Sequence, residues 1–441
     1  MTITEILPSL GHLLHERFDG ACWPSAASAD EHGDLIVGGL GLAGLAARYG
    51  TPCLVLDEAQ VRARVREFRA ALPGAELAYA GKALLCKGLV RWLAEEGASF
   101  DVCSAGELHL VRAAGVDGSR ILVHGNGKTK EDLKAAVHCP GARIVLDSFD
   151  ELDTLEGIAA PGQQVLVRVT PDVDAHTHRS IATGVRGAKF GFDLRSGEAA
   201  EAVDRVLRSA NLELLGLHCH IGSQVCGVDS YEAAVRFMAG LLADIRERFG
   251  VCLPVLDIGG GFRVPYTEEE SEFDLTGFAD RVRIALHYEC DRFQLPTPRL
   301  ILEPGRSIVA RAGVTVYRVL AVKGSTVIVD GGMSDNPRPA LYGARYRMRL
   351  LGRRSLAATV PLTVAGRHCE SGDVLGEAVP LPADTRAGDL LAVACTGAYH
   401  VPLQSNYNLI GRPPLVAVRD GAARVLLRRE GDRDLMARDP G

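Results

Sequence analysis

A chain of 441 residues, 47% hydrophobic and 24% charged, belongs to a globular protein of two or three domains with a sizeable core. The formal net charge of -6 argues against a nucleic-acid partner, and no apolar run approaches the roughly 20 residues needed to span a membrane. The 11 cysteines are scattered without a Cys-x-x-Cys pair, and Met1 to Trp23 has no basic region followed by an apolar signal core, so reduced thiols and a cytoplasmic location are expected.

In chain order, short β-like pieces at Leu35–Val37 and Cys53–Leu56 come first. From about residue 75 to 305, short apolar runs alternate with longer helix-like segments. The runs predict strands at Leu77–Ala80, Phe100–Cys103, Ile121–Val123, Ile144–Leu146, Val165–Val169, Leu214–His218, Val255–Ile258 and Leu300–Leu302. Ser104-Ala-Gly-Glu107 and Ser148-Phe-Asp-Glu151 read as capping boxes, and Ser230 as the start of a helix running to Phe249. Eight strands with intervening helices predict a (β/α)8 barrel, with a doubly wound sheet as the other arrangement of the same pattern. Beyond Gly305 the pattern turns to strands at Gly313–Val322, Thr326–Val329, Ala358–Val364, Leu390–Ala394 and Val416–Val418, punctuated by Gly and Pro. The expected organisation is an N-terminal segment (1–56) lending strands to a β-domain, a barrel (57–308) and a C-terminal β-rich domain (309–441).

Chemistry in such a barrel sits at the C-terminal ends of its strands. Those ends carry Lys82, Asp101 with Ser104, His124-Gly-Asn126, Asp147, Arg168, His220 with Ser223, Gly259-Gly260-Gly261, and Glu303 with Arg306. A lysine there can hold an aldehyde as a Schiff base, because partial burial makes its amine nucleophilic. Three glycines after an apolar strand can turn backbone N–H groups toward a phosphate, and Ser223 adds a hydroxyl donor. In Glu303-Pro-Gly305-Arg306 the carboxylate can keep a pyridine nitrogen protonated, and His220 is flat enough to stack on a ring. Together these parts describe a pocket for pyridoxal 5'-phosphate. His218-Cys219-His220 does not read as a metal site, since Cys219 points to the opposite strand face from both histidines, and no metal is expected.

The motifs Tyr79-Ala80-Gly81-Lys82-Ala83, His218-Cys-His-Ile-Gly-Ser-Gln224, Gly259-Gly-Gly-Phe262, Glu303-Pro-Gly-Arg306, Arg338-Pro-Ala-Leu-Tyr342, Cys369-Glu-Ser-Gly-Asp373, Gly397-Ala-Tyr399 and Asn406-Tyr-Asn408 follow in that order. From about Val37 to Val418 the chain resembles the diaminopimelate decarboxylases, within the alanine-racemase-like (fold type III) pyridoxal phosphate decarboxylases. The resemblance implies a homodimer with shared active sites, in which a C-terminal β-domain completes the site of the barrel. It implies Lys82 as the Schiff-base lysine, His220 stacked on the cofactor ring and Glu303 at the pyridine nitrogen. Ser223, Gly259, Gly260, Gly261, Gly305, Arg306 and Tyr399 are then cofactor contacts. Arg306, Arg338, Tyr342, Glu370 and Tyr399 are substrate contacts, and Cys369 from the partner subunit is the acid that reprotonates the carbanion.

The implied activity is decarboxylation of meso-2,6-diaminopimelate to L-lysine in lysine biosynthesis. A carboxylate at Glu370 can take the distal ammonium of that substrate, and Arg338 with Arg306 the distal carboxylate. Ser334 and Asn336-Pro337, Val401-Pro-Leu-Gln404 and Leu409-Ile410 depart from the family pattern. They keep open a paralogous decarboxylase acting on a modified amino acid in specialised metabolism. A non-catalytic homologue should have lost Lys82, Glu303 or Cys369, and a racemase should lack the Cys369-Glu-Ser-Gly-Asp373 segment.

Overall fold

The computed structural model describes residues 20–171 and 189–441, so most of the Met1 to Trp23 segment lies outside the described residues. Within them the chain forms two compact units, one of residues 61–264 and 272–310, the other of residues 20–60, 265–271 and 311–441.

The first unit is a closed barrel of eight parallel strands: β1 (Glu76–Ala80), β2 (Ser99–Val102), β3 (Ile121–His124), β4 (Arg143–Leu146), β5 (Gln163–Thr170), β6 (Leu212–His218), β7 (Val255–Asp257) and β8 (Arg299–Leu302). Closure is made by β8 on β1, where Ile301 pairs with Glu76 and Leu302 with Leu77, so the doubly wound alternative does not hold. A short piece, Phe192–Asp193, adds to β5. The predicted strands are all present with ends displaced by one or two residues.

Side chains alternate across a strand, and here that alternation builds the site. Ala78, Leu122, Val145, Leu166, Val255 and Ile301 form one buried apolar cluster. Two residues further along their strands, on the same face, stand Ala80, His124, Asp147, Arg168, Asp257 and Glu303, of which the five polar ones are buried. The floor is therefore apolar and the layer above it polar.

Local signals set the helix starts. Ser104 and Ser148 are N-caps, each accepting at 3.3 Å from the N–H three residues on. Neither capping box is completed: Glu107 accepts from Cys103 N–H at 2.8 Å instead, and Glu151 pairs with Lys128 at 2.8 Å. A reciprocal box forms at Thr129 with Asp132. The helix expected from Ser230 begins at Val228 and ends at Phe249.

Lys128, whose side chain is fully buried, ties the ends of β3 and β4 together. Its ammonium donates to the carbonyls of Gly125 at 2.8 Å and Val145 at 2.7 Å and faces Glu151 Oε1. Burial pushes the Glu151 carboxyl up to about 7, against the opposing pull of Lys128.

The second unit is strand-rich. Cys53–Asp57 lies between Gly313–Lys323, antiparallel to it, and Leu415–Arg419, parallel to it. Leu35–Val37 stays out of that sheet and pairs with Ser28–Ala29 and Leu40–Gly41. Strands Met348–Leu351, Val374–Pro382 and Ala422–Leu427 were not legible from the pattern. Val374–Pro382 carries two prolines, tolerated because it ends the sheet path and pairs with Thr359–Ala365. Residues 265–271, expected in the barrel, belong to this unit: Tyr266 O accepts from Arg347 N–H at 3.2 Å, and Glu268 pairs with the Arg347 guanidinium at 2.9 Å.

Candidate active site

The barrel mouth gathers the cofactor-type residues expected there. Lys82 sits on a single 3-10 turn, Gly81–Ala83, directly after β1 and is exposed. Its charge acts on Asp101, Cys103, Glu107 and His220. The β1 end is tied to the Glu303-Pro-Gly-Arg turn by Ala80 N–H donating to Pro304 O at 3.2 Å. Gly305 lies so close to β1 that a Cβ there would come within 3.0 Å of the Ala80 Cβ.

Glu303 is the buried centre of the layer. Its Oε1 lies 3.4 Å from His218 Nε2 and 3.5 Å from His124 Nδ1, too long for good hydrogen bonds, and the oxygen has no hydrogen-bond partner among the described residues. Burial alone would raise this carboxyl, but the His218 and His124 rings beside it hold it well below the usual carboxylate range. His218 is pushed down to about 3, first by burial and then by His124, and is neutral at ordinary pH. Arg168 Nη1 lies 3.0 Å from His124 Nε2 and 3.2 Å from Asp147 Oδ2. His124 Nδ1 lies 3.5 Å from Glu303 Oε1 and 3.6 Å from Asp101 Oδ1; burial lowers the basicity of this ring, but these two carboxyls outweigh it and raise it above the usual histidine range. Asp101 and Asp257 are raised by burial and then by the Glu303 charge.

His218 and Asp257 are missed by a reading of strand ends, although the two-residue period that selects His220 and Gly259 includes both. Strand alternation separates Cys219 from His218 and His220. Closure of the barrel brings His218 instead to His124 and Glu303, whose ligand-type atoms lie within 4.8 Å of one another. A cation there would compete for the same Glu303 carboxylate.

The triple-glycine turn differs from the expected nest. Gly259 N–H donates to Asp257 Oδ1 at 2.8 Å and Gly260 N–H to His220 Nδ1 at 3.2 Å, so two of its three amides point inward. The glycines act by what they lack: Gly259 has φ 69° and Gly261 φ 100°, and a Cβ on them would stand 2.6 Å from His220 Nδ1 and 2.1 Å from Gly222 O. The Gly260 bond also pins the His220 ring, whose basicity is held well below normal by burial and then by Lys82. Beside this turn Arg306 Nη2 donates to Ser223 Oγ at 3.1 Å.

In the strand-rich unit, Arg338 and Tyr342 open and close one short helix, and Cys369 and Glu370 are exposed on one loop. Arg338 is buried. Its guanidinium lies 4.9 Å from the Tyr266 ring centre and 5.7 Å from that of Tyr346, and donates to the Tyr346 hydroxyl. Neither tyrosine was picked out from the sequence. Tyr399 has φ 60°, a costly backbone for a bulky side chain and common at functional segments.

Residues 58–310 match the family model described as the pyridoxal binding domain of pyridoxal-dependent decarboxylases. The chain is 57% identical over 443 aligned positions to a diaminopimelate decarboxylase of Actinosynnema pretiosum subsp. auranticum, covering 100% of both chains. It is 43% identical to that of Mycobacterium tuberculosis, covering 94% of this chain and 97% of the other. The crystal structure of the M. jannaschii diaminopimelate decarboxylase with L-lysine superposes with a TM-score of 0.89 at 30% identity, covering 96% of this chain and 98% of that one. By sequence along its whole length and by the architecture of its barrel, the chain belongs to the diaminopimelate decarboxylase family of pyridoxal-dependent decarboxylases.

Proposed function

We propose that this protein removes carbon dioxide from meso-2,6-diaminopimelate to give L-lysine, using pyridoxal 5'-phosphate. The observation that carries the reading is Glu303: an ionised carboxylate, buried at the barrel mouth, with one oxygen short of a hydrogen bond. Such an atom suits the protonated nitrogen of a pyridine ring, so the residues present fit this cofactor. When bound, the cofactor supplies an aldehyde for the substrate amine and a conjugated ring that takes up the electron pair left by the departing carboxyl group.

The chain's own groups divide the remaining work. Lys82 is the amine that anchors the aldehyde, and His220, fixed by Gly260 N–H, offers its flat face. Ser223 and Arg306, already joined, take the phosphate together with Gly261, Gly305 and Tyr399, while Gly259 and Gly260 shape the wall. Glu303, held ionised beside His218 and His124, keeps the proton on the ring nitrogen. Arg306, Arg338, Tyr342, Glu370 and Tyr399 recognise the substrate, with the acidic and basic groups suited to its distal ammonium and carboxylate. Cys369 of the second subunit in a homodimer returns a proton to the carbon that lost carbon dioxide.

The 11 cysteines, none of them in a disulfide, support a reducing cytoplasmic setting, and no described helix is long and apolar enough to cross a membrane. The test is carbon dioxide release from meso-diaminopimelate, lysine, ornithine and arginine measured side by side. Release confined to the first is expected; release from the simple basic amino acids, or from none, overturns the substrate assignment.

A further inference from the structure

The Asn406-Tyr-Asn408 motif has no role in the chemistry described so far, yet it is built against the Cys369 loop. Asn408 Oδ1 accepts two hydrogen bonds, from the Cys369 backbone N–H at 3.1 Å and from His368 Nδ1 at 3.3 Å. A carbonyl oxygen cannot donate, so His368 carries its proton on Nδ1 and accepts on Nε2. There it meets the Ser334 hydroxyl at 2.9 Å and the Ser334 N–H at 3.4 Å. The Tyr407 ring stacks on the same imidazole, with centroids 5.3 Å apart and planes 27° apart. Asn406 anchors the motif from behind, its Nδ2 donating to Glu430 Oε2 at 2.6 Å and Ile410 O at 3.2 Å.

The loop is closed on its other side by Asp373. Its carboxylate accepts from His368 N–H at 2.8 Å and Met333 N–H at 2.6 Å, and its carbonyl from Gly366 N–H at 2.8 Å. Cys369 is therefore exposed on a loop whose backbone is fixed at the cysteine itself and at the residue before it. Asn408 adopts φ 55°, a left-handed conformation that asparagine tolerates better than most residues. A mobile loop would need none of these bonds.

We propose that Asn408 is a positioning residue for Cys369, fixing its main chain so that the thiol meets the reacting carbon from one face, with His368, Tyr407 and Ser334 holding Asn408 in place. The inference rests on the proposed role of Cys369 as proton donor. It also gives Ser334, a departure from the family pattern, a task in supporting the loop rather than in contacting substrate.

The test compares the holoenzymes of Asn408→Gly, which keeps the left-handed backbone and deletes the acceptor, and Asn408→Asp, which keeps the acceptor. Misplacing a reacting group by about 1 Å costs up to about 100-fold, so Asn408→Gly should lose about 10- to 100-fold in kcat with KM within about 2-fold, and Asn408→Asp should recover most of the loss. In deuterated water the carbon that loses carbon dioxide becomes a CHD centre. Its configuration should be uniform in the parent enzyme and mixed in Asn408→Gly, a change that a general loss of stability does not produce. If Asn408→Gly does not fold, Tyr407→Leu at the exposed edge of the stack is expected to give the same pattern more weakly. Parent-like kcat and configuration in the folded variant overturn the inference, provided that Cys369→Ala is slow. If Cys369→Ala is itself as fast as the parent, the reading of Cys369 falls and the positioning role with it.

Discussion

His218 Nε2 lies 3.4 Å from Glu303 Oε1, and the pair joins two strand ends 85 positions apart in the chain (303 − 218 = 85). Burial would raise the Glu303 carboxyl, but this ring and that of His124 hold it well below the usual carboxylate range. The electrostatics of the layer follow from this pair and from His124 beside it.

Replacing Glu303 by Gln keeps the shape and removes the charge. Turnover should fall by about 100-fold or more, because a preorganised charge at a reacting centre is worth that much, while the cofactor stays bound. Steady-state kinetics alongside the absorbance of the bound cofactor checks this. Simultaneous loss of the absorbance would make Glu303 a binding residue instead.

His218 also makes a prediction about pH. Its folded value of about 3 lies below the 6.5 of an unperturbed ring, so between these two values the unfolded chain binds more protons than the folded one. The contribution is therefore fully present above pH 6.5 and is lost as pH falls toward 3. Denaturant midpoints of the cofactor-free protein should fall over that window, and His218→Asn, which cannot take a proton, should flatten the decline.

Lys128→Met should destabilise the barrel by about 2–4 kcal/mol, since it takes a buried donor from two carbonyls and leaves Glu151, already pushed up to about 7 by burial, as a buried carboxyl that must take a proton. Adding Glu151→Leu should recover much of this loss, as apolar replacement of both partners in a buried ion pair commonly does. Urea unfolding of both variants measures it.

Lys82→Ala should abolish the visible absorbance of the bound cofactor, and Cys369→Ala should leave that absorbance while slowing turnover. If the site is shared between subunits, mixing the two inactive proteins under subunit exchange should restore about a quarter of parental activity when dimers reform at random. No recovery after proven exchange would argue for sites complete within one chain.

Much of the barrel was legible because strand alternation is a local property. Leu122 with His124, Val145 with Asp147, Leu166 with Arg168 and Ile301 with Glu303 are each an apolar residue and a polar one on the same face, readable from consecutive positions. The strand Val374–Pro382 was not legible, since its prolines are tolerated only by virtue of its place at the end of a sheet path. The triple glycine was legible as a turn but not in its bonding, since the destination of each N–H depends on Asp257 and His220.

By itself the sequence determined the eight barrel strands, the polar layer at their C-terminal ends and the motifs that carry the family. Period and turn chemistry act over a few residues and need no knowledge of distant partners. Only the tertiary structure decided that Glu303 stands between His124 and His218, that Lys128 spends its donors on two strand ends, and that Asn408 holds the backbone of Cys369. Those pairings follow from barrel closure and loop docking, which bring together residues whose separation along the chain leaves no local trace.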